Sequence, residues 1–151
     1  LDYARTTDAQ RERRAILAIL AQNVDEERLE ALYEEVAGED WQGQEAWSVM
    51  QQSLENEANR DKAWELYQAN FSDFVARTPE IRKPQTAGAV SSFCEAGDIA
   101  EARDFFTSNS EAIPGYERSL AQAEESANLC AAFRIEKVGE LSAALNSENE
   151  D

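Results

Sequence analysis

The chain contains no histidine. That absence removes the commonest general base and the commonest zinc ligand together. A helical His-Glu-x-x-His zinc site is excluded, and neither Ser91 nor Cys94 has an imidazole to activate it as a nucleophile. No glycine-rich phosphate loop is present, since only six glycines are scattered over 151 residues. Cations are scarce as well: 14 Lys and Arg face 31 Asp and Glu, for a net charge of −17. Such a field repels phosphate backbones and anionic lipid surfaces, so nucleic acid is excluded as a partner. The longest small, apolar run, Ala15 to Ala21, falls far short of the roughly 20 residues of a membrane span.

Only two cysteines occur, Cys94 and Cys130, too few for a disulfide scaffold and too widely spaced for a metal knuckle. Buried free thiols are the expectation, because Cys packs as a small hydrophobe. The start Leu1-Asp2-Tyr3 has neither an initiator Met nor a signal-peptide pattern. The chain therefore reads as a piece of a longer polypeptide, and its compartment stays open.

Three prolines, few Val or Thr, and abundant Ala, Glu, Leu and Gln favour helices throughout. Ile16, Leu17, Leu20 and Val24 form one apolar stripe, and Leu29, Leu32, Tyr33 and Val36 form a second. Asn23-Val24-Asp25 is the turn between them, with Asp25 as N-cap and Glu26 and Glu27 in the first helical turn. A third helix is expected from Gln44 to Glu57, with Trp47, Met50 and Leu54 on one face. The fourth, Arg60 to Ala76, carries the strongest stripe: Trp64, Tyr67, Phe71, Phe74 and Val75.

Pro79 and Pro84 bracket Glu80-Ile81-Arg82-Lys83 and predict the main loop. A fifth helix is expected over Val90, Phe93 and Cys94. Gly97 predicts a stop, and Asp98 to Glu101 a capping box that opens a sixth helix with Ile99, Ala102, Phe105 and Phe106. Pro114-Gly115 opens a seventh, with Leu120, Ala123, Ala127, Cys130, Phe133 and Val138 in a stripe of about five turns. The expected architecture is an all-α, irregular αα superhelix of the HEAT or armadillo type with about seven antiparallel helices. It occupies residues 1–145, and residues 146–151 form a flexible acidic tail, frayed from Ser147 to Asp151.

Chemistry has few places to reside. Paired acids such as Glu34/Glu35 and Glu124/Glu125 are what 31 carboxylates produce by chance, and they read as solvated faces. Trp41, Trp47, Trp64, Phe71 and Phe74 could line a ligand site, but helical spacing makes core packing the simpler reading. Arg82 and Lys83 differ, as adjacent cations in a proline-bracketed loop of a very acidic chain. Solvated charges that aid solubility are their default reading. A contact to another domain or to an anionic ligand end is their functional one.

Several segments, in order, carry a family resemblance: Leu1 to Ala4, Ala21 to Val24, and Asp61-Lys-Ala-Trp-Glu-Leu-Tyr-Gln-Ala-Asn-Phe71. Phe93-Cys-Glu-Ala-Gly-Asp98, Ala102-Arg-Asp-Phe-Phe106 and Pro114 to Asn128 follow. Together they resemble the C-terminal helical domain of the aminopeptidase N and puromycin-sensitive aminopeptidase family of gluzincin zinc metallopeptidases, over residues 1 to 137. Cys130-Ala-Ala-Phe133 departs from it, where the usual aromatic of the last motif is shifted.

The resemblance implies a superhelical lid that arches over a catalytic domain of the same polypeptide, encloses a cavity and admits short peptides. Zinc belongs to that parent catalytic domain, and no cofactor is expected in this chain. The family's Gly-x-Met-Glu-Asn stretch is missing, since the sole methionine, Met50, precedes Gln51 and Gln52. No catalytic residue is carried over. On this view the −17 charge concentrates peptides with cationic amino ends at the cavity wall. The competing reading is a stand-alone acidic helical-repeat scaffold for a partner protein. A third, a small hydrolase working with an acid pair, needs a buried carboxylate in a cleft.

Overall fold

A computed structural model describes residues 1–148 except Val24 and Glu39. The chain is all-α, with no strand among the described residues. It divides into two compact units, residues 1–83 and the part that begins at Pro84.

The first unit contains α1 (Asp2–Thr6), α2 (Gln10–Ala21), α3 (Glu26–Ala37), α4 (Gly43–Glu55) and α5 (Arg60–Arg77). The sequence reading assigned nothing to α1, because five residues are too short to display a period. Side-chain contacts fix the helix directions. Arg13 near the start of α2 meets Glu45 near the start of α4, while Gln22, just past the end of α2, donates to the Gln52 carbonyl and Asn56 to the Gln22 carbonyl. Thus α2 and α4 run parallel. Lys62 reaches Glu30, and Arg77 reaches the carbonyls of Val36, Ala37 and Gly38, so α3 and α5 also run parallel. Two αα hairpins stacked with alternate helices parallel are the building pattern of αα solenoids.

The layers meet over Leu17, Leu29, Val49, Leu54 and Tyr67, all fully buried. Trp64, Phe71, Phe74 and Val75 are buried too, as the strongest stripe predicts. Tyr33 bridges the layers: its hydroxyl lies 2.7 Å from Ser53 Oγ and donates to the Ala63 carbonyl. Burial pushes that phenol well above the ordinary tyrosine range, against the opposing pull of the Ser53 hydrogen bond. Asp25 caps α3 by accepting from the Arg28 N–H, as expected. Val24, placed by the sequence in the first stripe and its turn, lies outside the described residues.

Arg77 closes the other end of α3 by donating to carbonyls that the helix leaves unpaired. Gly43 permits this close approach, since a Cβ there would come within 2.5 Å of the Arg77 carbonyl oxygen.

The stretch from Pro79 departs from expectation. In place of a loop and a separate fifth helix, one run of 3₁₀ turns extends over Glu80–Ser92. The Pro79 carbonyl accepts from the Arg82 and Lys83 N–H groups, so the chain coils at once, and Pro84, which lacks an N–H, is accommodated inside the 3₁₀ run.

In the second unit the 3₁₀ run leads to α6 (Ala96–Ser108), a short 3₁₀ turn (Ser110–Ala112) and α7 (Glu117–Glu148). Helix α6 starts three residues earlier than predicted. Glu95 is its N-cap residue, Gly97 lies within its first turn rather than stopping a helix, and Asp98 is a first-turn acid rather than the cap. Gly115, with φ +82°, makes the left-handed turn that opens α7.

Cys94 and Cys130 form a disulfide, with Cα atoms 5.2 Å apart. This overturns the expectation of buried free thiols: Cys130 is exposed and Cys94 half-buried. Arg134 pairs with Glu95, and Arg103 with Glu124, so α7 runs antiparallel to α6 and carries Cys130 back to Cys94. Helix α7 continues through Ser147 and Glu148 of the predicted tail, and residues 149–151 lie outside the described residues.

Candidate functional site

Helix α4 turns Ala46, Val49, Met50, Ser53 and Leu54 into the first unit and leaves an outer face of Gln44, Trp47, Ser48, Gln51, Gln52 and Glu55. These six fall at offsets 0, 3, 4, 7, 8 and 11, which places them on one side of a helix. With Arg14 of α2 they line a groove of about 270 Å³. A smaller cavity of about 50 Å³ lies on the other flank of Trp47, between Gly43, Gln44, Thr78, Pro79 and Arg82. Trp47 is thus the ridge between two depressions.

The indole is half-buried, and its Nε1 is buried without a hydrogen-bond partner. The contrast with Trp41 is informative: the Trp41 N–H donates to Glu35 Oε1 at 2.8 Å and belongs to the internal framework. Arg5 grips the same Glu35 with two guanidinium nitrogens. That grip, followed by the Trp41 hydrogen bond, holds the Glu35 carboxyl below the usual carboxylate range. At the start of α4, Arg13 Nε lies 2.8 Å from Glu45 Oε1 in a largely buried ion pair. Glu45 Oε2 accepts the Gln42 N–H and so caps α4. The start of α4 is therefore tied down by charge as well as by packing.

Arg82 is exposed and forms part of the wall of the smaller cavity. Lys83 is turned back onto Glu80 by an ion pair. The two neighbours in sequence thus have different surroundings. Arg14 lines one of the two depressions that Trp47 borders and Arg82 the other, in a chain whose net charge is −17.

The sequence reading treated Trp47 as core and assigned no role to Gln44, Gln51 or Gln52. The signal that distinguishes them is the carboxamide stripe, Gln44, Gln51 and Gln52, interrupted by one indole.

Carboxamides donate and accept at once, an indole N–H donates, and the arginines supply charge. This set can hold a polar chain, and it contains no nucleophile with an adjacent base. Among the described residues no group of three His, Cys, Asp or Glu is placed to hold a metal ion. With no histidine in the chain, its residues do not fit the zinc site that the family resemblance implies for a complete enzyme. None of the described helices is long and apolar enough to cross a membrane.

No curated protein and no solved structure matches the chain. The model of one family does match, the ERAP1-like C-terminal domain, over residues 1–129. The chain therefore belongs to the ERAP1-like C-terminal domain family, the C-terminal domain of aminopeptidases.

Proposed function

We propose that this domain is the lid and chamber wall of a zinc-dependent aminopeptidase that removes N-terminal residues from peptides, and that it takes no part in bond cleavage itself. The family match over residues 1–129 carries this reading, and the lack of any histidine supports the non-catalytic assignment. A catalytic domain of the same polypeptide would hold the zinc, which would supply Lewis-acid chemistry to the scissile carbonyl and to a water. This chain contributes binding and electrostatics.

The outer face of α4 meets the peptide. Gln44, Gln51 and Gln52 pair with main-chain amides, the exposed part of the Trp47 ring packs against the peptide, and Arg82 contacts an anionic group of the peptide or of the neighbouring domain. Lys83, clasped by Glu80, is a neutralised charge and takes no part in this contact. Around this face, the −17 field draws in peptides with cationic amino ends.

The test is kcat/KM of the full-length parent enzyme for cationic against anionic peptides as salt rises. The cationic substrate is expected to lead by about tenfold at low ionic strength, and that lead to shrink once the Debye length falls below about 8 Å. Equal values that ignore salt would remove the steering role.

A further inference from the structure

The buried stripe of α7 outlasts its cover. Leu120, Ala123 and Ala127 are buried on the side facing α6, and the same stripe continues at offsets 11, 18 and 21 from Leu120 as Ala131, Val138 and Leu141. Helix α6 has 13 residues and α7 has 32, about 20 Å against 48 Å, so α7 overhangs it. In the overhang Ile135 is 77% exposed, Val138 57% and Leu141 61%. Ala131, Ile135, Val138 and Gly139 on α7, with Cys94 and Ala96 opposite, line an open groove of about 580 Å³.

Two further features say what fits there. Residues 129–145 carry two cations, Arg134 and Lys137, and two anions, Glu136 and Glu140, so this stretch is neutral in a chain of −17. Two copies can abut here without the repulsion that opposes contact elsewhere. The second feature is Gly139, in the interior of a long helix where glycine is costly. A Cβ at this position would meet nothing within 4 Å, so packing inside the chain does not require it. A glycine beside an exposed valine is a hole beside a knob, and an isologous two-fold pairing places the knob of each copy at the hole of the other.

We infer that the α7 overhang is a self-association surface, occupied by the antiparallel overhang of a second copy of this chain. The strip is about 25 Å long, which puts the interface at the small end of specific contacts, about 1,000 Å² in total, with association in the micromolar range.

Sedimentation velocity of the 151-residue chain between about 1 and 200 µM at about 0.15 M salt tests this. The weight-average mass should climb from 16.9 kDa toward twice that value. Val138→Glu is expected to abolish the climb while leaving the circular dichroism spectrum unchanged. Gly139→Ala is expected to raise the melting temperature of the dilute monomer yet weaken association at least fivefold, a pair of opposite signs that a purely helical effect does not give. Leu129→Glu, on the other side of α7, should leave association intact. A chain that stays monomeric throughout, or one whose association survives Val138→Glu, overturns the inference. So does protection of the Val138 amide from hydrogen exchange only when the rest of the parent enzyme is added, which would put another domain on this face.

Discussion

Reducing the Cys94–Cys130 bridge is expected to destabilise the second unit by about 4 kcal/mol. The two cysteines are 36 residues apart, and closing a loop of that length removes about this much chain entropy from the unfolded state. For a unit of some 65 residues the corresponding fall in melting temperature is about 10 °C or more. The effect can be localised, because Trp41, Trp47 and Trp64 all lie in the first unit. Melting followed by far-ultraviolet circular dichroism should therefore show a component that moves with reductant, while the transition seen by tryptophan fluorescence stays in place. A Cys94→Ser/Cys130→Ser variant should match the reduced protein. If reductant leaves the dichroism melt unmoved, the bridge does not hold the unit as described.

Arg13→Ala is expected to cost about 3 kcal/mol of first-unit stability, because it leaves the Glu45 carboxylate, only 3% exposed at its side chain, without its counter-charge. Arg13 also lies 4.3 Å over the Trp41 ring and donates to the Asp40 carbonyl, so the truncation loosens the joint between α2 and α4 as well. The paired replacement Arg13→Met/Glu45→Leu should recover most of the loss, since an apolar pair of similar volume avoids desolvating two charges. It should remain about 1 kcal/mol short, because Glu45 also caps α4 through the Gln42 N–H. Urea unfolding followed by tryptophan fluorescence measures both variants. A cost below about 1 kcal/mol for Arg13→Ala would mean that water reaches Glu45 freely.

Helix positions were legible where apolar spacing held over several turns. The stripe from Trp64 to Val75 marks α5 and its buried face almost residue for residue, and Asp25 marks the start of α3. The stretch around Pro79 and Pro84 was not, because proline signals a break in an α-helix, while 3₁₀ turns tolerate it and leave no long period behind. Trp47 shows a related limit. It shares a helical spacing with Met50 and Leu54, yet those two are buried and Trp47 sits at the edge of the stripe. Periodicity reveals which residues share a side of a helix, and it is silent on what lies against that side. The same limit explains α7, whose predicted stripe is buried at Leu120, Ala123 and Ala127 but exposed at Cys130, Phe133 and Val138. The disulfide required knowing that α6 and α7 run antiparallel, a tertiary fact that two cysteines 36 residues apart do not disclose. Of the candidate site, Arg82 was visible as a cation between prolines. Arg14 was not, because its place beside α4 depends on the parallel packing of α2 and α4.

The proposed role is that of a domain that binds peptides and leaves them whole. A nuclear magnetic resonance titration of the 151-residue protein with a short cationic peptide in the presence of zinc follows both halves of that claim in one tube. The account predicts that the Trp47 indole N–H resonance shifts as peptide is added, while the N-terminal residue of the peptide stays attached throughout. A free amino acid accumulating in the sample, or an indole resonance that stays still at saturating peptide, would contradict it.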